Sequence, residues 1–241
     1  MATYVLIAGA WHGSWCWSEI VPLLKAAGHQ VLTPDLLGMT VGEQTVMEEP
    51  VLQWADQIAE VVRAQDDPVI LVGHSRAGIV ISEVAERVPD RVKLLVYLCA
   101  FLLKDGETLN GISQQAANFD AVSDAVDFRE DGTSVVKPDK IASMLYNDTA
   151  DRFVQIARER LVAEPIASFM TPVHLTEERF GSVARAYIEC TDDHMIPIAD
   201  QCAMQRTVGI TLNHRLDSDH SPFFSRPREL VLALESMRQK S

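Results

Sequence analysis

Short runs of apolar residues alternate along this chain with stretches in which apolar positions recur every three or four residues. Tyr4-Val5-Leu6-Ile7, Val31-Leu32-Thr33-Pro34, Val69-Ile70-Leu71-Val72 and the apolar-rich run 92–98 are of the first kind. Such runs, bounded by Gly, Pro or polar clusters, read as strands buried on both faces. Between them, Leu52, Ala55, Ile58, Ala59 and Val62 fall at helical spacing and predict a helix over residues 51–64. Residues 79–88 predict another, closed by Pro89. Ser14 suits the N-cap of a helix over 14–27, with Trp17, Ile20, Val21, Leu23 and Leu24 on its apolar side and Gly28 as its stop. Residues 35–44 read as a loop.

The rhythm changes at Phe101. No core strand is predicted from about Lys104 to Phe180, while 138–146 and 150–163 read as helices, the second with Phe153, Ile156, Ala157 and Leu161 along one face. Seventy residues without structure would be hard to stabilise, so residues 105–178 are expected to form a helical cap inserted into a core of residues 1–104 and 179–241. Alternation then resumes with a strand over 183–190, a helix over 198–208, a strand over 212–216 and a last helix over 226–237, with Pro227 near its start. The expected class is α/β, a mostly parallel sheet with helices on both faces.

Composition narrows the function. With 241 residues, 47% hydrophobic and 23% charged, one soluble α/β domain with an insertion is the natural reading. A net charge of −13 would repel phosphate backbones and anionic membranes, so neither nucleic acid nor membrane is an expected partner. The longest apolar run, 94–103, is too short to span a bilayer. Met1-Ala2-Thr3 offers no basic leader, which points to a cytoplasmic protein without a signal peptide. The 4 cysteines lack C-x-x-C spacing and are expected to be reduced thiols. No metal cluster or phosphate loop is visible, so no metal or other cofactor is expected.

Gly73-His74-Ser75-Arg76-Ala77-Gly78 lies between a predicted strand and a predicted helix, the setting of a nucleophile elbow. The strict pattern has Gly two residues after the serine, where this chain has Ala77, with Gly78 just beyond. A serine hydroxyl needs a base, and the base an orienting carboxylate. In this architecture the partners follow later strands in the order acid, then histidine. The loop after 183–190 carries Asp192 and Asp193, of which Asp193 is preferred, and the loop after 212–216 carries His220. Backbone N–H groups of Arg76 and Ala10 are the expected oxyanion hole. Gly9, Trp11 and Phe101 are expected to border the substrate. The Arg76 side chain faces either an anionic substrate group or a surface carboxylate, the second being favoured. His12 is expected to brace the first loop, and His74 to be structural.

These residues resemble the α/β-hydrolase superfamily, in particular the branch of plant methylesterases (acting on methyl salicylate and methyl jasmonate) and hydroxynitrile lyases. The resemblance spans nearly the whole chain and is closest at Ala10-Trp11-His12-Gly13-Ser14-Trp15, at 22–29, at Gly73-His74-Ser75 and over 180–193. It implies the α/β-hydrolase fold and places the family's triad on Ser75, Asp193 and His220. It also implies a cofactor-free carboxylesterase that cleaves small esters through an acyl-enzyme. A small-molecule ester is the expected partner, and a homodimer is one admissible assembly. Two departures stand beside the oxyanion hole: Ala8-Gly9 where the family has His-Gly, and His-Ser-Arg-Ala-Gly in place of His-Ser-apolar-Gly-Gly. A hydroxynitrile lyase and a non-catalytic binding protein on the same scaffold are the alternatives. The family's lyases have a threonine at the end of the first strand and a lysine after the catalytic histidine, positions held here by Gly9 and Ser221.

Overall fold

The apolar runs do form strands, and side-chain alternation along each strand sorts the core into two layers. The computed structural model describes residues 1–42 and 47–240. Glu43 and Gln44, the end of the predicted 35–44 loop, lie outside the described residues. Strands β1 (Thr3–Ile7), β2 (Gln30–Leu32), β3 (Val69–His74), β4 (Val92–Leu98), β8 (Arg185–Cys190) and β9 (Leu212–Leu216) make a sheet in the order β2-β1-β3-β4-β8-β9. Every neighbouring pair in it is parallel. The crossovers include helices α1 (Ile20–Ala26), α2 (Pro50–Arg63), α3 (Ala77–Arg87) and α9 (Ile198–Val208), and α11 (Pro227–Lys240) follows β9.

On β1, Tyr4 and Leu6 join Ile20 and Leu24 of α1 and Leu230 and Leu234 of α11. Val5 and Ile7 point the other way, to Trp54 and Ile58 of α2 and Ile79 and Val84 of α3. All six residues of β3 are buried. A strand covered on both faces has no place for polar alternation, which is why residues 69–72 form a continuous apolar run.

Two elements depart from the predicted pattern. The helix expected over 14–27 is a 3₁₀ turn at Ser14–Trp17 followed by α1. Ser14 caps nothing there; its hydroxyl and its N–H both bond the carboxylate of Asp35. The segment between β4 and β8 contains the expected helices, α6 (Ile141–Leu145) and α7 (Asp151–Arg160), and also α4 (Leu109–Ser113), α5 (Phe119–Ala125) and α8 (Ala167–Met170). It is not wholly helical, however. Strands β5 (Val126–Phe128), β6 (Thr133–Val136) and β7 (Glu164–Pro165) form a small antiparallel sheet. These strands are two to four residues long, too short for period-two alternation to show. Residues of this segment bond the loops that follow β1, β3 and β9, through Glu164 to Trp11 and Arg76 and through Asp148 and Thr149 to Asp219. They thus form a cap on that end of the sheet.

Candidate active site

The elbow is built by close backbone approach. Ser75 sits at the tip with φ 53°, the left-handed region that a non-glycine residue occupies only under tertiary constraint. Its N–H donates to the Leu98 carbonyl at 3.1 Å, and its own carbonyl accepts from Phe101 N–H at 3.1 Å. A Cβ at Gly78 would lie 2.1 Å from the Phe101 carbonyl oxygen, and one at Gly73 would lie 2.7 Å from that of Ala77. The tight packing therefore falls on Gly73 and Gly78, and the alanine at 77 is accommodated.

Three side chains converge there from three strand ends. Ser75 Oγ is 3.0 Å from His220 Nε2, and His220 Nδ1 is 2.7 Å from Asp193 Oδ2. A carboxylate only accepts, so Nδ1 carries the proton and Nε2 is free to accept from the serine hydroxyl. Asp193 is buried, and its other oxygen accepts from the N–H groups of Met195 and Ile196, each at 2.8 Å. Asp192 faces outward, where Asn147 donates to it at 2.8 Å. The structure thus brings together Ser75, Asp193 and His220 and leaves Asp192 out.

Two further histidines hold this arrangement. His74 Nε2 bonds the His220 carbonyl at 2.8 Å, fixing the loop that carries the base. His12 Nδ1 bonds the Ala10 carbonyl at 2.7 Å, and its Nε2 bonds the hydroxyl of Tyr146, a cap residue, at 2.6 Å. Burial pushes His12 down to about 4 and His74 well below the ordinary histidine value, so both are neutral at pH 7. His12 is the brace expected of it.

Ala10 and Arg76, the expected oxyanion donors, both line a cavity of about 550 Å³ that opens on Ser75. Among the described residues neither N–H donates to a protein acceptor. Trp11 and Phe101 line the cavity, and cap residues including Leu109, Ile112, Phe119 and Val122 make much of the remaining wall. Gly9 is a correction: it is not a lining residue. It packs beneath the site, where a Cβ would come within 2.7 Å of His74 Nδ1 and 2.9 Å of Ser75 Cβ.

Arg76 is the second correction. Its side chain is 1% exposed and meets neither solvent nor a surface carboxylate. Nε donates to Glu164 Oε1 at 2.8 Å, and Glu164 is a cap residue that is itself fully buried. The guanidinium also lies 4.4 Å from the centre of the Trp54 ring.

Asp219, beside the histidine, was not among the candidates. It is fully buried and accepts from Asp148 N–H at 2.9 Å and the Thr149 hydroxyl at 2.7 Å, tying the histidine loop to the cap. Nothing in Asp217-Ser218-Asp219 distinguishes it in sequence. Folding also brings ligand atoms of His74, Cys99 and His220 within 4.8 Å of one another. Both ring nitrogens of His220 are already engaged, and burial pushes the Cys99 thiol well up, keeping it protonated. That is a poor donor set for a metal.

Known proteins match this chain over nearly its full length. Residues 4–234 match the sequence pattern of the alpha/beta hydrolase family. Methylesterase 7 of Arabidopsis thaliana is 30% identical, the match covering 98% of this chain and 96% of that protein. Among solved structures, a pyrethroid hydrolase from Sphingobium faniae superimposes with a TM-score of 0.89 at 27% identity, covering 99% of this chain and 97% of that one. A methylesterase from Arabidopsis superimposes with a TM-score of 0.85 at 24% identity, both chains being covered completely. Because the matches run through core and cap alike, the chain belongs to the alpha/beta hydrolase family.

Proposed function

We propose that this protein is a serine carboxylesterase that cleaves neutral esters of substantial apolar bulk. The observation that carries this reading is the hydrogen-bonded chain from Ser75 through His220 to Asp193, with the serine opening into an apolar-walled cavity. Ser75 attacks the ester carbonyl as His220 Nε2 takes its proton, and Asp193 holds the imidazole and stabilises the imidazolium. The tetrahedral oxyanion is received by the N–H groups of Ala10 and Arg76. His220 then protonates the departing alcohol, and a water activated by the same imidazole releases the acid from Ser75.

Substrate polarity follows from the charges. Two cations line the cavity among the described residues, and each already has a carboxylate partner. Arg76, buried beside the serine, pairs with Glu164, and Lys104 pairs with Glu107 at 3.5 Å, which disfavours an acidic substrate. A volume of about 550 Å³ accommodates an ester of drug-like size. The methylesterase and pyrethroid hydrolase relatives are in keeping with ester chemistry. The lyase alternative has no observation in its favour: Gly9 and Ser221 supply neither the threonine nor the lysine, and neither lines the cavity. The test is turnover of p-nitrophenyl esters with and without a serine-directed phosphonate. Stoichiometric labelling of Ser75 with loss of turnover is expected. Unchanged turnover after labelling, or cyanide release from mandelonitrile faster than any ester cleavage, overturns the reading.

A further inference from the structure

The two halves of the oxyanion hole lie on separate loops, residues 9–11 and the elbow, and a single buried carboxylate from the cap binds both. Glu164 Oε1 accepts from Arg76 Nε at 2.8 Å and from the Ser168 hydroxyl at 2.7 Å. Its Oε2 accepts from Arg76 Nη2 at 3.3 Å and from the backbone N–H of Trp11 at 3.2 Å. Arg76 Nη2 in turn donates to the Gly9 carbonyl at 3.1 Å. Gly9 and Trp11 flank Ala10, one of the two oxyanion donors, and Arg76 is the other. Each donor is thus anchored to the same ion pair.

Trp11 shows how closely the cap controls this loop. It has φ 63°, a left-handed conformation that a residue with a side chain adopts only when its surroundings impose it. Those surroundings are cap residues: Glu164 on the N–H, Val162 N–H on its carbonyl at 2.9 Å, and Ser134 on the indole N–H at 3.3 Å. A buried ion pair adds little net stability compared with apolar residues of the same volume, because desolvation offsets its attraction. What it does impose is direction, since a guanidinium fork and a carboxylate meet in few orientations.

We propose that Glu164 is a positioning residue for the oxyanion hole, acting through Arg76 and the Trp11 N–H to hold the Ala10 and Arg76 donors at a fixed separation. The cap is then part of the catalytic apparatus as well as the wall of the substrate cavity. The inference rests on the esterase reading above. It predicts that weakening the pair lowers transition-state binding selectively, because the oxyanion exists only there.

The experiment compares wild type with Arg76→Lys, Glu164→Gln and the double variant Arg76→Met/Glu164→Leu. Readouts are kcat and KM on a p-nitrophenyl ester, thermal midpoint, and affinity for two inhibitors. One inhibitor is a trifluoromethyl ketone, which forms a tetrahedral oxyanion on the serine; the other is the matching methyl ketone as a ground-state mimic. Arg76→Lys keeps both charges but loses the fork, so kcat/KM falls about 10-fold with KM within about threefold. Glu164→Gln loses about 10- to 100-fold, approaching the 10²–10³ cost of deleting an oxyanion donor. In both, trifluoromethyl ketone affinity falls in parallel with kcat/KM while methyl ketone affinity holds. The double variant regains the wild-type midpoint and stays slow. The proposal is overturned if Arg76→Lys is as fast as wild type, if both ketones weaken equally, or if the double variant regains rate together with stability. Failure of the esterase reading is separate: wild type would then not be labelled at Ser75 by the phosphonate.

Discussion

Ser75 and Trp11 both carry positive φ angles within one site, yet different parts of the molecule hold them there. Ser75 is fixed by the sheet through main-chain bonds to Leu98 and Phe101 and by glycines that let α3 approach the end of β4. Trp11 is fixed by the cap, mostly through side chains of residues more than a hundred positions away. The cap reaches the machinery at two further points, through Tyr146 on His12 and through Asp148 and Thr149 on Asp219. On the proposed reading, the core supplies the reacting groups from strand ends, and the cap adjusts what surrounds them. Chemistry and adjustment are therefore expected to separate under mutation.

The largest expected effect lies in the core. Ser75→Ala folds as wild type and loses roughly 10⁴ to 10⁶ in kcat, the cost of removing a triad nucleophile. Activity above a tenth of wild type, measured with any ester the protein cleaves, would remove the serine from its role.

Next comes the acid. Asp193→Asn costs on the order of 10⁴ in kcat, because an amide cannot hold the same histidine tautomer, while Asp192→Asn stays within about a few-fold. Steady-state rates of the two variants side by side check this; comparable losses would blur the distinction between buried and exposed aspartate.

At the seam between the regions the expected effect is on stability. His12 is pushed down to about 4 by burial, against 6.5 for a free histidine. Between those values the unfolded chain binds a proton that the folded chain refuses, so stability is lost as pH falls through that window. The loss attributable to His12 is up to about 3 kcal/mol, and it is complete near pH 4. Denaturant titrations at neutral pH and near pH 4 should show a shallower pH dependence for His12→Asn than for wild type.

The smallest effect lies in the cap wall. Val122 lines the cavity from α5, and Val122→Ala removes apolar contact without touching a reacting group. Its expected cost is about 1–2 kcal/mol in kcat/KM for esters long enough to reach it, and nothing for acetate esters. Equal loss on short and long esters would mean that the cap wall and the chemistry are not separable there.

Much of the core was readable in the sequence because its determinants are local. The predicted ranges of β4, α9 and β9 coincide with the observed Val92–Leu98, Ile198–Val208 and Leu212–Leu216. A strand buried on both faces must be apolar throughout, and a parallel sheet forces the alternation with helices. The order of serine, acid and histidine follows from the same topology, since each sits at the carboxyl end of its own strand. Two core details were not readable: the split of the helix predicted over 14–27, where Asp35 captures Ser14 across the loop, and the place of Gly9, set by contact with His74 and Ser75.

The cap was readable as an interruption and in two of its helices, α6 and α7, but not in its small sheet or in its contacts with the site. Its strands are too short to carry a pattern, and the residues that tie it to the site are single polar side chains amid unpatterned sequence. Glu164 is separated from Arg76 by 88 positions, and neither residue type signals the other. Local chemistry along the chain determined where the strands, helices and reacting groups would fall. Which buried charge meets which, and which loop is held in a strained conformation, was decided only by folding, because those energies arise from contacts between segments whose separation leaves no periodic trace.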